Sequence, residues 1–184
     1  AELVLDYPLV GRFNVENVMG ALAIGICLGI EPRIIQEALA SMSSVPGRLE
    51  RVTVDGTAVG GDDPLDELSI YVDYAHTPDA LAKAIGSVKA LAEPAGARTI
   101  VVFGCGGDRD AGKRPLMGAA ALTADYAVVT SDNPRNEAPM DIIADIVAGM
   151  AAEERFEVEP DRRAAIGRAI ALAGENGIGL VAIQ

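Results

Sequence analysis

Tryptophan is absent from this chain of 184 residues, histidine occurs once, cysteine twice, and the aromatic residues together make up 4% of the sequence. One histidine with Cys27 and Cys105 is too little for a zinc site, and two distant cysteines give no disulfide framework, so a reducing, cytoplasmic setting is expected. Basic residues are also few. Fifteen Lys and Arg stand against 27 Asp and Glu, a net charge of −12, which is the opposite of the basic footprint of a nucleic-acid binder. No apolar run approaches the ~18 residues of a membrane span. The opening Ala1-Glu2-Leu3 has none of the basic residues of a signal peptide. What the chain does have is apolar mass: half of its residues are hydrophobic, enough to bury a core.

The pattern divides near Ser43-Ser44-Val45-Pro46-Gly47, a cluster of linker-like residues. Before it, residues 3–10 read as a short strand. Asn14 reads as the N-cap of a helix over 15–28, and Pro32 opens a second helix. This block, 1–46, is too small and too helical to stand alone and is expected to be the remnant of a second domain. From 47 to 184 strands and helices alternate. Strands are expected at 49–54, 69–73, 98–103, 126–130, 156–159 and 179–183. Helices are expected from Pro78 and over 115–123, 140–151 and 161–174, with an exposed connection over 55–67. Alternation of this kind predicts an α/β fold of Rossmann-like, doubly wound type, built on a mostly parallel sheet. The apolar strand at 179–183 has no loop after it, so functional residues are expected beyond both ends.

In such a sheet ligands bind at the carboxyl ends of the strands. Three segments fall there. Asp73 and His76 follow the 69–73 strand; they read as ligand-facing groups or, for a lone histidine, as structural ones. Gly104-Cys105-Gly106-Gly107-Asp108-Arg109 follows the next strand. It is not a dinucleotide fingerprint, because Arg109 stands where the third glycine would fall, and Lys113-Arg114-Pro115 is expected to delay the following helix. It is not a Walker A loop either, since Arg114 follows Gly112-Lys113 in place of Ser or Thr. The glycines read as a flexible frame that presents Arg109. Asp132-Asn133-Pro134-Arg135 follows the strand after that: Pro134 fixes a turn, and Arg135 offers a planar fork to a carboxylate. Two arginine-bearing loops on adjacent strand ends predict a pocket for a small ligand rich in carboxylates. Asn14 and Asn17 read either as a cap and a solvent-facing residue or as paired amides for the edge of a heterocycle. Arg48, in Pro46-Gly47-Arg48-Leu49-Glu50, reads either as part of a surface ion pair or as a hinge arginine that reaches phosphate or ribose.

Taken in order, Gly11-Arg12-Phe13-Asn14-Val15-Glu16-Asn17, Pro46 to Glu50, Val72-Asp73-Tyr74-Ala75-His76-Thr77-Pro78, Gly104 to Pro115 and Asp132 to Arg135 resemble the Mur ligases, and among them the diaminopimelate-adding members. The resemblance implies that 1–46 is the end of a central ATP-binding domain and 47–184 most of a C-terminal amino-acid-binding domain. It implies an ATP-dependent ligase of peptidoglycan precursor synthesis that joins meso-diaminopimelate to a UDP-muramoyl dipeptide through an acyl phosphate, with Mg2+ held mainly by residues outside this chain. Asn14, Asn17, Arg48, Asp73 and His76 would then belong to the ATP site. Arg109, Asp132, Asn133, Pro134 and Arg135 would belong to the diaminopimelate site. The partners implied are small molecules alone, with neither nucleic acid nor membrane, and a monomer is expected. Two other classes compete: a Rossmann-type oxidoreductase, disfavoured by Arg109 in the third-glycine position, and a stand-alone nucleotide- or amino-acid-binding module. This piece by itself is expected to be inactive.

Overall fold

The computed structural model describes residues 3–43, 45–54, 57–58, 68–150, 154–174 and 177–182. Two helices come first, α1 (Arg12–Cys27) and α2 (Pro32–Ala40). They are followed by β1 (Glu50–Arg51), β2 (Thr53–Val54), β3 (Thr57–Ala58) and β4 (Ile70–Asp73). Then come α3 (Pro78–Ala92), β5 (Arg98–Phe103), α4 (Lys113–Ala121), β6 (Tyr126–Val129), α5 (Pro139–Ala148), β7 (Phe156–Val158), α6 (Arg162–Gly174) and β8 (Gly177–Ala182). Six strands form one sheet in the order β1-β4-β8-β5-β6-β7, parallel except for the β1–β4 pair. A separate two-stranded hairpin pairs β2 with β3.

The strands alternate cleanly between two cores. Tyr71, Val101, Phe103, Ala127 and Val129 face α3, α4 and α5, meeting Leu81, Ile85, Val88, Met117, Ile142 and Ile146. Their neighbours Ile70, Ile100, Val102 and Val128 face the opposite way onto α6, through its stripe Ala165, Ala169 and Ala173. This period of two, apolar on both faces, is what a parallel sheet covered on each side by helices requires. Small side chains every four residues let α6 lie close to the strands. A third, smaller core joins α1 to α2 through Val18, Leu22, Ile35 and Leu39, with Leu5 and Tyr7 against it.

Local chemistry explains the helix starts. Thr77 caps α3: its hydroxyl oxygen accepts from the Ala80 N–H at 3.2 Å, and Pro78 takes the first helical position. Pro32 and Pro139 open α2 and α5 in the same way. Three expectations are corrected. Residues 3–10 form no strand; they run as coil, set Leu5 and Tyr7 against the α1–α2 core and place Val10 on the main core. Asn14 is not the cap of α1. Gly11, at φ 98°, holds that position, and Asn14 lies inside the first turn with its side-chain N–H donated to Val10 O at 2.7 Å. Pro115 does not delay α4, which begins at Lys113; in the first turn the proline's missing N–H has no helical partner to lose. The connection expected over 55–67 lies outside the described residues apart from β3.

Candidate functional site

The carboxyl ends of the central strands lie level, because the register sets Val129 beside Phe103 on one side and Val158 on the other. The loops that leave β4, β5 and β6 therefore meet. Between them lies a cleft of about 540 Å3, lined by Tyr74, His76, Gly106, Arg109, Asp110, Lys113, Asp132, Asn133 and Arg135. The two arginines expected to share a pocket do share it. Arg109 is exposed and makes no hydrogen bond or ion pair among the described residues. Lys113 Nζ donates to His76 O at 2.9 Å, tying the first turn of α4 to the β4 loop. Arg135 has φ 50° and donates from Nη1 to Gly107 O. Asp132 is nearly buried, 3.9 Å from Arg162 Nη1. Three cationic groups and two aspartates, Asp110 and Asp132, thus line one cavity, an arrangement suited to a zwitterion with more than one carboxylate.

The glycine loop is not a flexible frame. All four residues Gly104 to Gly107 are buried. A Cβ on Gly107 would stand 1.9 Å from Pro134 O, and one on Gly104 would stand 2.6 Å from Thr130 O. The loop lacks side chains because the 130–135 loop lies directly on its backbone. Gly107, Gly112 and Lys113 do carry the spacing of a phosphate-binding loop, but the Gly107 N–H is already donated to Asn133 O at 2.9 Å. These two loops form one unit.

The residues that the resemblance assigns to ATP fall in three places, with His76 in the cleft already described. Arg48 and Asp73 line a smaller cleft of about 180 Å3 with Phe13, Ala80, Lys83 and Ala84. Asp73 is buried, and its carboxylate accepts from Leu49 N–H at 2.8 Å. Burial pushes its pKa up, against the lowering effects of the Leu49 N–H, the Arg48 charge and the Ala75 N–H. That contact holds Leu49 in a left-handed conformation, φ 48°, directly after Arg48. The Arg48 guanidinium lies 5.6 Å from the centre of the Tyr74 ring, and the centres of the Tyr74 and His76 rings lie 5.3 Å apart. Tyr74 thus links the two clefts. Asn14 and Asn17 join neither. Asn17 Nδ2 donates to Asn14 Oδ1 at 3.2 Å, so the two amides are engaged with each other and with Val10.

One constellation was not foreseen. Arg114 is 2% exposed, and its guanidinium bridges Glu137 at 2.7 Å and Asp145 at 2.9 Å. The Arg114 hydrogen bond, more than the Asp108 N–H, lowers the Glu137 pKa. No local signal marks Arg114: its partners are 23 and 31 residues away. Cys105, buried in the same loop, has its thiol pushed up to about 11, first by burial. Among the described residues no three His, Cys, Asp or Glu side chains converge as a metal site.

Comparison with known proteins bears on the family and the fold. The family model described as Mur ligase, glutamate ligase domain, matches residues 47–182. A curated protein of Thermosynechococcus vestitus named UDP-N-acetylmuramoyl-L-alanyl-D-glutamate–2,6-diaminopimelate ligase is 47% identical over 178 residues, which are 96% of this chain and 33% of that protein. One of the same name from Acidovorax sp. is 46% identical over 180 residues, 97% of this chain and 34% of its own length. The chain spans about a third of the length of the curated relatives it matches. A solved structure of a ligase with that name superposes with TM-score 0.65 at 38% identity, covering 97% of this chain and 34% of the other. Folylpolyglutamate synthase of Mycobacterium tuberculosis shares the fold with TM-score 0.70 at 20% identity, over 97% and 39% of the two chains. On the sequence, the sheet order and these likenesses together, the chain belongs to the Mur ligase family.

Proposed function

We propose that this chain supplies the amino-acid-binding part of an ADP-forming ligase that adds meso-2,6-diaminopimelate to UDP-N-acetylmuramoyl-L-alanyl-D-glutamate in peptidoglycan precursor synthesis. The observation that carries this reading is the cleft itself. Arg109, Lys113 and Arg135 supply cationic donors, Asp132 supplies an acceptor for an amine, and all four line one cavity of the size of a small ligand. Diaminopimelate carries two amino-acid centres, and an arginine fork binds the carboxylate that lysine lacks. The names of the 46–47% identical relatives support the same substrate.

In this reading ATP phosphorylates the γ-carboxylate of the D-glutamyl residue. The free amine of the bound diaminopimelate attacks the acyl phosphate, phosphate leaves, and an amide forms. The chain's own contribution is to orient that amine and to exclude the wrong amino acid. Arg48, beside Asp73 and over Tyr74, fits the phosphates or ribose of ATP, with His76 next to them. Asn14 and Asn17 would have to exchange their mutual hydrogen bond for one to adenine. Mg2+ is read as bound mainly by residues outside this chain. Residues 1–46 are read as the end of the ATP-binding domain, 47–184 as the amino-acid domain, and the enzyme as a cytoplasmic monomer.

The test is substrate choice by the full-length enzyme. ADP release should depend on the UDP-muramoyl dipeptide and on diaminopimelate, with lysine a poor replacement. Arg109→Ala is the clean variant, because Arg109 has no partner within the described chain to lose. It should reduce kcat/KM for diaminopimelate about tenfold to a hundredfold, the weight of a charge-assisted hydrogen bond, with little change for lysine. Equal losses for both amino acids would remove Arg109 from the specificity site.

A further inference from the structure

In the two loops that form the cleft, two residues other than glycine adopt left-handed backbone conformations, Asp108 at φ 50° and Arg135 at φ 50°. Such conformations are uncommon for these residues and persist only where surrounding contacts hold them. Here the contacts are reciprocal. Asp108 N–H donates to Glu137 Oε1 at 2.5 Å, while Asp108 Oδ2 accepts from Asn136 Nδ2 at 2.6 Å. Glu137 N–H donates to Pro134 O at 3.0 Å, closing the turn that carries Arg135. The oxygen of Glu137 that takes the Asp108 N–H also takes Arg114 Nη2, at 2.7 Å. Arg114 is itself anchored on α5 through Asp145. One carboxylate oxygen therefore joins the loop of Arg109, the loop of Arg135 and a buried cation.

From this geometry we infer that Glu137, backed by Arg114, is a positioning residue that sets the separation of Arg109 and Arg135 and so selects an amino acid with a carboxylate on its second centre. Glu137 does not line the cleft; it acts through the two arginine-bearing loops. The charge on Glu137 is maintained by the Arg114 hydrogen bond, which keeps its carboxyl below the usual glutamate range. The inference rests on the proposed substrate for its chemistry, but the clamp between the loops stands on its own contacts.

Glu137→Gln in the full-length enzyme keeps an oxygen for the Asp108 N–H and removes the charge that faces Arg114. The KM for diaminopimelate should rise about tenfold, because loosely held arginines lose alignment, and the preference for diaminopimelate over lysine should fall by a similar factor. The KM for ATP should not move. Asn136→Ala, at an exposed position, cuts the companion tie and should shift the preference in the same direction, which keeps the test open should the first variant fold poorly. Asp145→Asn weakens Arg114's other anchor, and should lower the melting temperature while leaving the preference in place. An unchanged preference in folded Glu137→Gln and Asn136→Ala, or an equal loss in Asp145→Asn, overturns the inference. Amide exchange at Gly107 and Asp108 reads the clamp without any substrate: it should quicken in Glu137→Gln, and unchanged protection there also overturns it. If the unaltered enzyme fails to use diaminopimelate, the proposed function falls, and amide exchange alone decides the clamp.

Discussion

Cys27 and Cys105 differ sharply in surroundings: one is exposed on α1, the other buried in the loop after β5. Only the thiolate is reactive, and burial keeps the Cys105 thiol protonated to about pH 11. At pH 8 iodoacetamide should therefore label Cys27 alone in the folded protein, as read by peptide mass. Cys105 should react only when denaturant is added. The same residue makes stability fall in alkali. The unfolded thiol releases its proton near 9.0, whereas the folded one holds it to about 11, so between these values the native state binds more protons and stability declines as pH rises. In Cys105→Ala that part of the decline should disappear, measured as the difference in urea midpoints at pH 8 and pH 10.5. Asp73 also titrates high because of burial, yet its position is dictated by the Leu49 N–H. It supports the turn after Arg48 before it meets any ligand.

At the level of elements, α4 and α5 lie unusually close. A Cβ on Gly149 would stand 1.9 Å from Pro115 O, and one on Gly118 would stand 2.3 Å from Ile146 O. That approach brings Arg114 within reach of Asp145. Gly149→Ala should cost ~1–3 kcal/mol by forcing the helices apart. Gly167→Ala, in α6 with nothing within 4 Å of its would-be Cβ, should instead gain ~0.5–1 kcal/mol from helix propensity. Thermal melts of the two variants should move in opposite directions. The elements that sequence reveals are those governed by local rules. Thr77-Pro78 marks α3 because capping involves neighbours only, and Arg98–Phe103 marks β5 because its five residues after the exposed Arg98 alternate between two buried faces. Residues 3–10 mislead because apolar side chains such as Leu5, Tyr7 and Val10 can be covered by packing on helices without any backbone pairing. The cleft was legible through Arg109 and the 132–135 turn, because both follow strands whose carboxyl ends lie side by side. The Arg114–Glu137 contact was not, because pairing across 23 residues depends on how α4 meets the β6 loop. Nor was the tight packing of the Gly104–Gly107 loop, since a missing side chain reads the same whether it permits motion or close approach.

For the molecule as a whole, the −12 charge and the placement of its cations matter together. Three of the 15 basic residues, Arg109, Lys113 and Arg135, line a single cleft with Asp110 and Asp132 on an otherwise acidic chain, so groups that can pair with carboxylates and with amines are gathered in one place. The sequence contains no Gly-Lys-Thr or Gly-Lys-Ser phosphate loop. The 184-residue chain alone should therefore release no phosphate from ATP in the presence of Mg2+, dipeptide substrate and diaminopimelate. Enzyme-dependent phosphate above background would show that phosphoryl transfer is housed here after all. The position of β8 has a consequence for how the protein is made. Residues 177–182 fill the gap between residues 70–73 and 98–102. Until they leave the ribosome, the β1–β4 pair and the β5–β6–β7 group have facing edges with unpaired N–H and C=O groups, and each waits for the same missing strand. The nascent sheet passes through a stage at which it is open in the middle and prone to pair with another chain, so its folding has to finish after β8 is synthesised and depends on how quickly that strand arrives.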